Sequence, residues 1–126
     1  IHSRQSTLAC VQVLKEYKNS ALRGVFHCFS GSLEEAEEII KLGFYLGIGG
    51  VITYKNAGLG PVIEKVDLAH LVLETDAPYL TPVPHRGKRN ESCYLQIIAE
   101  KLAEVKSEKP ATVAEITTQN AENLFL

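Results

Sequence analysis

Four groups of polar residues stand where apolar runs give out: His2-Ser3-Arg4, His27 followed by Ser30-Gly31, the stretch from Gly47 to Thr53, and Glu74-Thr75-Asp76. Two imidazoles and a carboxylate drawn from three such ends are a reasonable donor set for a borderline cation such as zinc or manganese, and oxygen donors also suit magnesium. His27 is the most informative of them. It lies in the apolar run Val25-Phe26-His27-Cys28-Phe29, where an imidazole without a partner costs free energy. The competing readings are structural. His27 would be a hydrogen-bonded strand residue, and Asp76, ahead of Ala77-Pro78, would close an Asx turn or cap a helix. Glu74 is a rival to Asp76, although strand alternation puts it on the face opposite Thr75. The separations are long in sequence, so periodicity alone does not establish that these groups meet.

A second candidate is the loop Leu80 to Asn90, LTPVPHRGKRN, which carries His85, Arg86, Lys88 and Arg89. A charge run is commonly a solvated turn. This one follows Asp76 directly and is stiffened by Pro82 and Pro84, with Pro78 just ahead, which lowers the cost of ordering it around a ligand. Anchored cations beside a carboxylate site suit a phosphodiester substrate. The three cysteines, Cys10, Cys28 and Cys93, show no C-x-x-C spacing and are assigned to packing in a reducing compartment.

The elements that must position these groups follow from the hydrophobic pattern. Short apolar runs at Val25–Phe29, Phe44–Ile48 and Leu71–Thr75 predict buried strands. Ile1-His2 reads as the stub of one more. A helix is expected from about Ser6 to Tyr17, and another after the capping box Ser32-x-x-Glu35, with Leu33, Ala36, Ile39 and Ile40 on one face and Gly43 as its stop. Further helices are expected over Leu59 to Val66, along Leu95, Ile98, Leu102 and Val105, and from a cap at Thr112-x-x-Glu115 to Leu124. Strands alternating with helices imply a parallel sheet, either open and doubly wound or part of a (β/α)8 barrel, and in both the carboxyl ends of the strands carry the chemistry.

At 126 residues and 45% hydrophobic, the chain has the content of one globular domain. Four βα units fill about half of the roughly 250 residues of a full barrel. No run reaches the roughly 18 apolar residues of a membrane span, so a soluble cytoplasmic protein is expected. A formal net charge of −2 argues against holding nucleic acid by bulk positive charge, while leaving room for local basic loops. The chain opens Ile1-His2-Ser3-Arg4 and contains no methionine, which suggests a start that is not the biological one.

The series IHSR, HCFSGS, GFYLGIGGVITYKNA, LVLETDAPYLTPVPHRGKRNE and TTQNAENLF resembles, in order and over essentially the whole chain, the carboxyl-terminal half of the TatD family of metal-dependent deoxyribonucleases. The resemblance implies strands five to eight of an amidohydrolase-type (β/α)8 barrel, with one or two divalent metal ions (Mg, Zn or Mn) at its carboxyl-terminal face. It implies that His2 and His27 are metal ligands on the fifth and sixth strands, and that Asp76, on the eighth, is both a ligand and the group that orients or deprotonates the attacking water. Ser30, Tyr79, His85, Arg86 and Asn90 would lie in substrate-facing loops. The family's His-x-His and its metal-bridging glutamate have no counterpart here, and Ser92 stands where the pattern has proline.

The function so implied is exonucleolytic cleavage of phosphodiester bonds at a DNA end. The same resemblance admits a D-aminoacyl-tRNA deacylase or another amidohydrolase-type hydrolase, and the absent half of the ligand set admits an inactive half-barrel. With two open sheet edges, the chain is expected to be inactive alone, or to be completed by another chain or by an amino-terminal half.

Overall fold

The computed structural model describes residues 1–17 and 21–126. Its elements run α1 (Thr7–Lys15), β1 (Val25–Phe26), α2 (Leu33–Lys41), β2 (Tyr45–Ile48), a 3₁₀ turn (Gly50–Thr53), α3 (Leu59–Glu64), a second 3₁₀ turn (Leu68–His70), β3 (Leu71–Leu73), a third (Ser92–Tyr94), α4 (Leu95–Lys106) and α5 (Pro110–Phe125). The strands pair in parallel in the order β1-β2-β3, with Val25 opposite Tyr45, Leu46 opposite Leu71 and Ile48 opposite Leu73. Spatial order equals chain order, with no switch point where the direction reverses. Right-handed crossovers that each advance one strand leave the helices on one face, which is the arc of a barrel rather than a doubly wound sheet.

The stub at Ile1-His2 extends this arc by a single parallel bridge, His2 to His27, supported by the His27 N–H donating to Ile1 O at 3.0 Å. The strands are shorter than the apolar runs suggest. Cys28 adopts φ 51° and turns the chain out of the sheet, although Phe29 N still donates to Gly47 O. Asp76 at φ 55° does the same after β3. A non-glycine residue in this region carries strain and is uncommon.

Phe26, Leu46, Ile48 and Leu71 are fully buried against Ile39, Ile63, Ile98 and Leu102 of the helices. Each such side chain contributes about 1.5–3 kcal/mol by leaving water. The predicted capping box forms at α2, where Ser32 Oγ accepts from Glu35 N and Glu35 Oε2 accepts from Ser32 N at 2.8 Å. Gly43 at φ 79° ends the helix, as a residue without a Cβ does most easily. The last helix departs from expectation. It starts at Pro110 in its first turn, with Lys109 at the cap position, so Thr112 lies inside the helix and caps nothing. Two polar side chains tie elements together: Asn120 Nδ2 joins α5 to the entry of β3 by donating to Leu68 O and Leu71 O, and Lys106 Nζ joins α4 to the end of α3 by donating to the carbonyls of Ile63, Glu64 and Val66.

Candidate active site

At the carboxyl ends of the strands, His27 Nε2 lies 3.2 Å from His2 Nδ1 and 3.7 Å from Asp76 Oδ1. On its other side His27 Nδ1 is 2.9 Å from Glu74 Oε1, which also accepts from Cys28 N at 3.0 Å. A proton on Nδ1, held by the Glu74 carboxylate, leaves the lone pair on Nε2 facing His2 and Asp76. Asp76 is only partly buried, and among the described residues no backbone N–H donates to its carboxylate. The turn beyond β3 is made instead by Thr75 Oγ1, which accepts from Ala77 N.

Glycine makes the His27–Glu74 contact possible. Glu74 follows β3, His27 follows β1, and β2 runs between them. A Cβ on Gly47 would sit 2.3 Å from Glu74 Oε2 and 3.3 Å from His27 Cα, so only a residue without a side chain lets the carboxylate cross the middle strand. Cys28 closes this cluster from behind. Burial, then the nearby Glu74 and Asp76 carboxylates, push its thiol pKa up to about 11, which keeps it protonated at neutral pH.

The donor set suits zinc or manganese, and separations of 3.2 and 3.7 Å bracket the roughly 3.3 Å between ligands on a tetrahedral ion with bonds of about 2.0–2.1 Å. Yet among the described residues no group of three His, Cys, Asp or Glu is arranged to hold one ion together. The pairwise distances and that finding agree once the pairing is considered: the two imidazoles face each other as hydrogen-bond partners, and Asp76 stands off at the side. The geometry is therefore a paired core with a third donor beside it rather than a closed cage.

The other predicted residues fall in different places. Ser30 is exposed and lines a hollow of about 300 Å³ with Ser3, Arg4, Gln5, Gly31 and Glu35. Tyr79 is 71% exposed in the turn after Asp76. His85 and Arg86 lie on the loop, packed on Tyr94 and Tyr54 respectively. Asn90 lies at the base of the loop. It is 1% exposed, its Nδ2 donates to Thr75 O and Tyr79 O, and its N–H to Pro78 O, so it clasps the loop onto the Asp76 turn. Cys93 is a correction: it is exposed, while Cys10 and Cys28 are half-buried.

Sequence reasoning passed over Glu74 as a partner of His27, Gly47 as its clearance, and Tyr54 and Tyr94 as loop platforms. A signal for the first existed: glycines at positions 47 and 49 on one face of a strand imply close approach from a neighbour.

The whole chain, residues 1–126, matches the model of the family described as TatD related DNase. It is 46% identical over 126 residues to the uncharacterized metal-dependent hydrolase YabD of Bacillus subtilis, covering 99% of this chain and 49% of that protein. It is 32% identical to a protein of Edwardsiella piscicida named 3'-5' ssDNA/RNA exonuclease TatD, again over 99% of this chain and 50% of the relative. The structure superposes on the crystal structure of the TatD homologue YJJV from Escherichia coli with a TM-score of 0.92 at 35% identity, covering 98% of this chain and 48% of that one. The chain thus spans about half the length of the relatives it matches, and its α/β fold is that of half a barrel. On these grounds it belongs to the TatD related DNase family.

Proposed function

We propose that this chain carries half the active site of a metal-dependent hydrolase that removes nucleotides from a DNA end, with His2, His27 and Asp76 as ligands to a divalent cation. The observation that carries this reading is the pairing of His27 Nε2 with His2 Nδ1 at 3.2 Å, with Asp76 Oδ1 standing beside it at 3.7 Å, each from a separate strand end, next to a loop whose cations have no carboxylate partner among the described residues. Among the described residues, Arg86, Lys88 and Arg89 form no ion pair. Bound there, a divalent cation supplies positive charge and Lewis acidity toward a phosphodiester. Asp76, unspent in local turns, takes the proton of the attacking water. Glu74 keeps His27 in the tautomer that offers Nε2, and the loop cations balance phosphate charge. The Edwardsiella relative's name supports single-stranded nucleic acid as the substrate class.

The partner reading belongs to the same proposal. A groove of about 580 Å³ lined by Leu73, Leu95, Ala99, Ala114 and Ala121 runs beside the open edge of β3. A hollow of about 380 Å³ lined by Ile1, Ala9, Cys10, Val13 and Leu14 lies at the opposite end of the sheet. An amino-terminal half-barrel, of the length the relatives have in addition, would cover both and bring the remaining ligands. The chain alone is then inactive.

The test is release of nucleotides from single-stranded DNA by the chain alone and co-expressed with the amino-terminal half of the Bacillus subtilis relative, with manganese or with chelator. Aminoacyl-tRNA serves as the competing substrate. Manganese-dependent release of nucleotides by the pair supports the reading, and deacylation of the tRNA with no action on DNA overturns it.

A further inference from the structure

The loop cations are held in an unusual way for surface charges. The Arg86 guanidinium carbon lies 4.1 Å from the centroid of the Tyr54 ring, and the His85 ring stacks on Tyr94 at 4.5 Å with only 8° between the planes. In the first pair the guanidinium stands over the face of a tyrosine ring, and in the second the imidazole face is covered by one. In neither does an in-plane nitrogen make a hydrogen bond among the described residues. An arginine held over a ring by its guanidinium carbon, with no ion pair or side-chain hydrogen bond among the described residues, keeps N–H donors to offer two oxygens of an anion.

Tyr54 is itself fixed by the loop it supports. Its hydroxyl donates to Thr81 O at 2.9 Å, while Thr81 Oγ1 donates to Lys88 O and Val83 N donates to Thr53 Oγ1. Gly50 beneath allows Leu80 O to approach closer than any side chain would permit. Burial raises the Tyr54 phenol pKa, with the Arg86 guanidinium opposing the rise and Cys28 adding to it.

We infer that Tyr54 and Tyr94 are positioning residues that hold Arg86 and His85 against their ring faces, making a preformed clamp for one anionic phosphate group of the substrate. Preforming matters because a free arginine side chain surrenders rotamer entropy when it is fixed. The inference rests on the phosphodiester reading above.

A single-stranded thymidine octamer, in chelator, is the probe, with affinity read by fluorescence anisotropy and folding by circular dichroism. Arg86→Gln is expected to weaken binding roughly tenfold and Tyr54→Leu roughly fivefold. Tyr54→Phe, which keeps the ring, should stay within about twofold. The deciding measurement is the double variant: Tyr54→Leu in the Arg86→Gln background should have no further effect, because the tyrosine acts only through the arginine. Tyr94→Leu with His85→Gln gives an independent second cycle should the first variant unfold. If Arg86→Gln weakens binding while the tyrosine changes are silent or strictly additive, the clamp is wrong and the phosphodiester reading stands. If the wild-type chain ignores the octamer and Arg86→Gln changes nothing, the reading itself falls, and the clamp with it.

Discussion

Glu74 reaches across an entire strand to hold His27, its Oε1 lying 2.9 Å from Nδ1 while Cys28 N donates to the same oxygen at 3.0 Å. This contact sets the direction of the nitrogen that faces His2 and Asp76. Replacing Glu74 by glutamine keeps the shape and removes the charge that fixes the tautomer. Glu74→Gln should weaken zinc binding by about 10–100-fold, as loss of such an outer partner generally does. Isothermal titration of the two proteins with zinc checks it; equal affinities would show that Glu74 is a packing residue.

Gly47→Ala sets a methyl group against Glu74 Oε2 and His27 Cα. The carboxylate can swing away but the backbone cannot, so the change should cost about 1–3 kcal/mol in urea denaturation. It should also be non-additive with Glu74→Ala, because both remove the same contact. Two independent losses that sum would contradict the clearance argument.

How much of this was legible beforehand depends on the range of the interaction. The capping box at Ser32 and Glu35, the stop at Gly43 and the apolar faces of α2 and α4 are local, and pattern alone located them. The start of α5 was misplaced at Thr112 because a capping-box spacing was given more weight than Pro110 two residues earlier. His27 and Asp76 stood out as polar breaks in apolar runs. Glu74 did not, because its role exists only once β1, β2 and β3 lie side by side with a glycine between. The clasp made by Asn90 was hidden for the same reason: in the chain it belongs to a basic loop, while in the fold its amide donates to Thr75 O and Tyr79 O.

Asn120 ties α5 to the entry of β3 through two buried hydrogen bonds, to Leu68 O at 2.7 Å and Leu71 O at 2.8 Å. Asn120→Ala strands both carbonyls away from water. The expected loss is about 1–3 kcal/mol by chemical denaturation, with no change in zinc affinity of the folded protein. A variant as stable as wild type would mean that the carbonyls find other partners.

The cysteines should separate by alkylation. Cys93 is exposed, whereas the Cys28 thiol, with a pKa pushed up to about 11, holds only about one part in a thousand as thiolate at pH 8. A group whose pKa is raised reacts only as pH climbs toward that value. Iodoacetamide at pH 8 should therefore label Cys93 well before Cys28 in peptide mass spectra, with Cys28 gaining rate between pH 9 and 11. Early labelling of Cys28 would contradict the buried, carboxylate-flanked environment.

The account turns on His2, His27 and Asp76 acting as one donor set. Titration of the chain with cobalt(II), followed by its visible absorption and by calorimetry, tests this most directly. The predicted result is a single site weakened at least about tenfold by each of His2→Ala, His27→Ala and Asp76→Ala. Binding that survives all three substitutions unchanged, or that is absent from the wild-type chain and from its complex with an amino-terminal half, would contradict it.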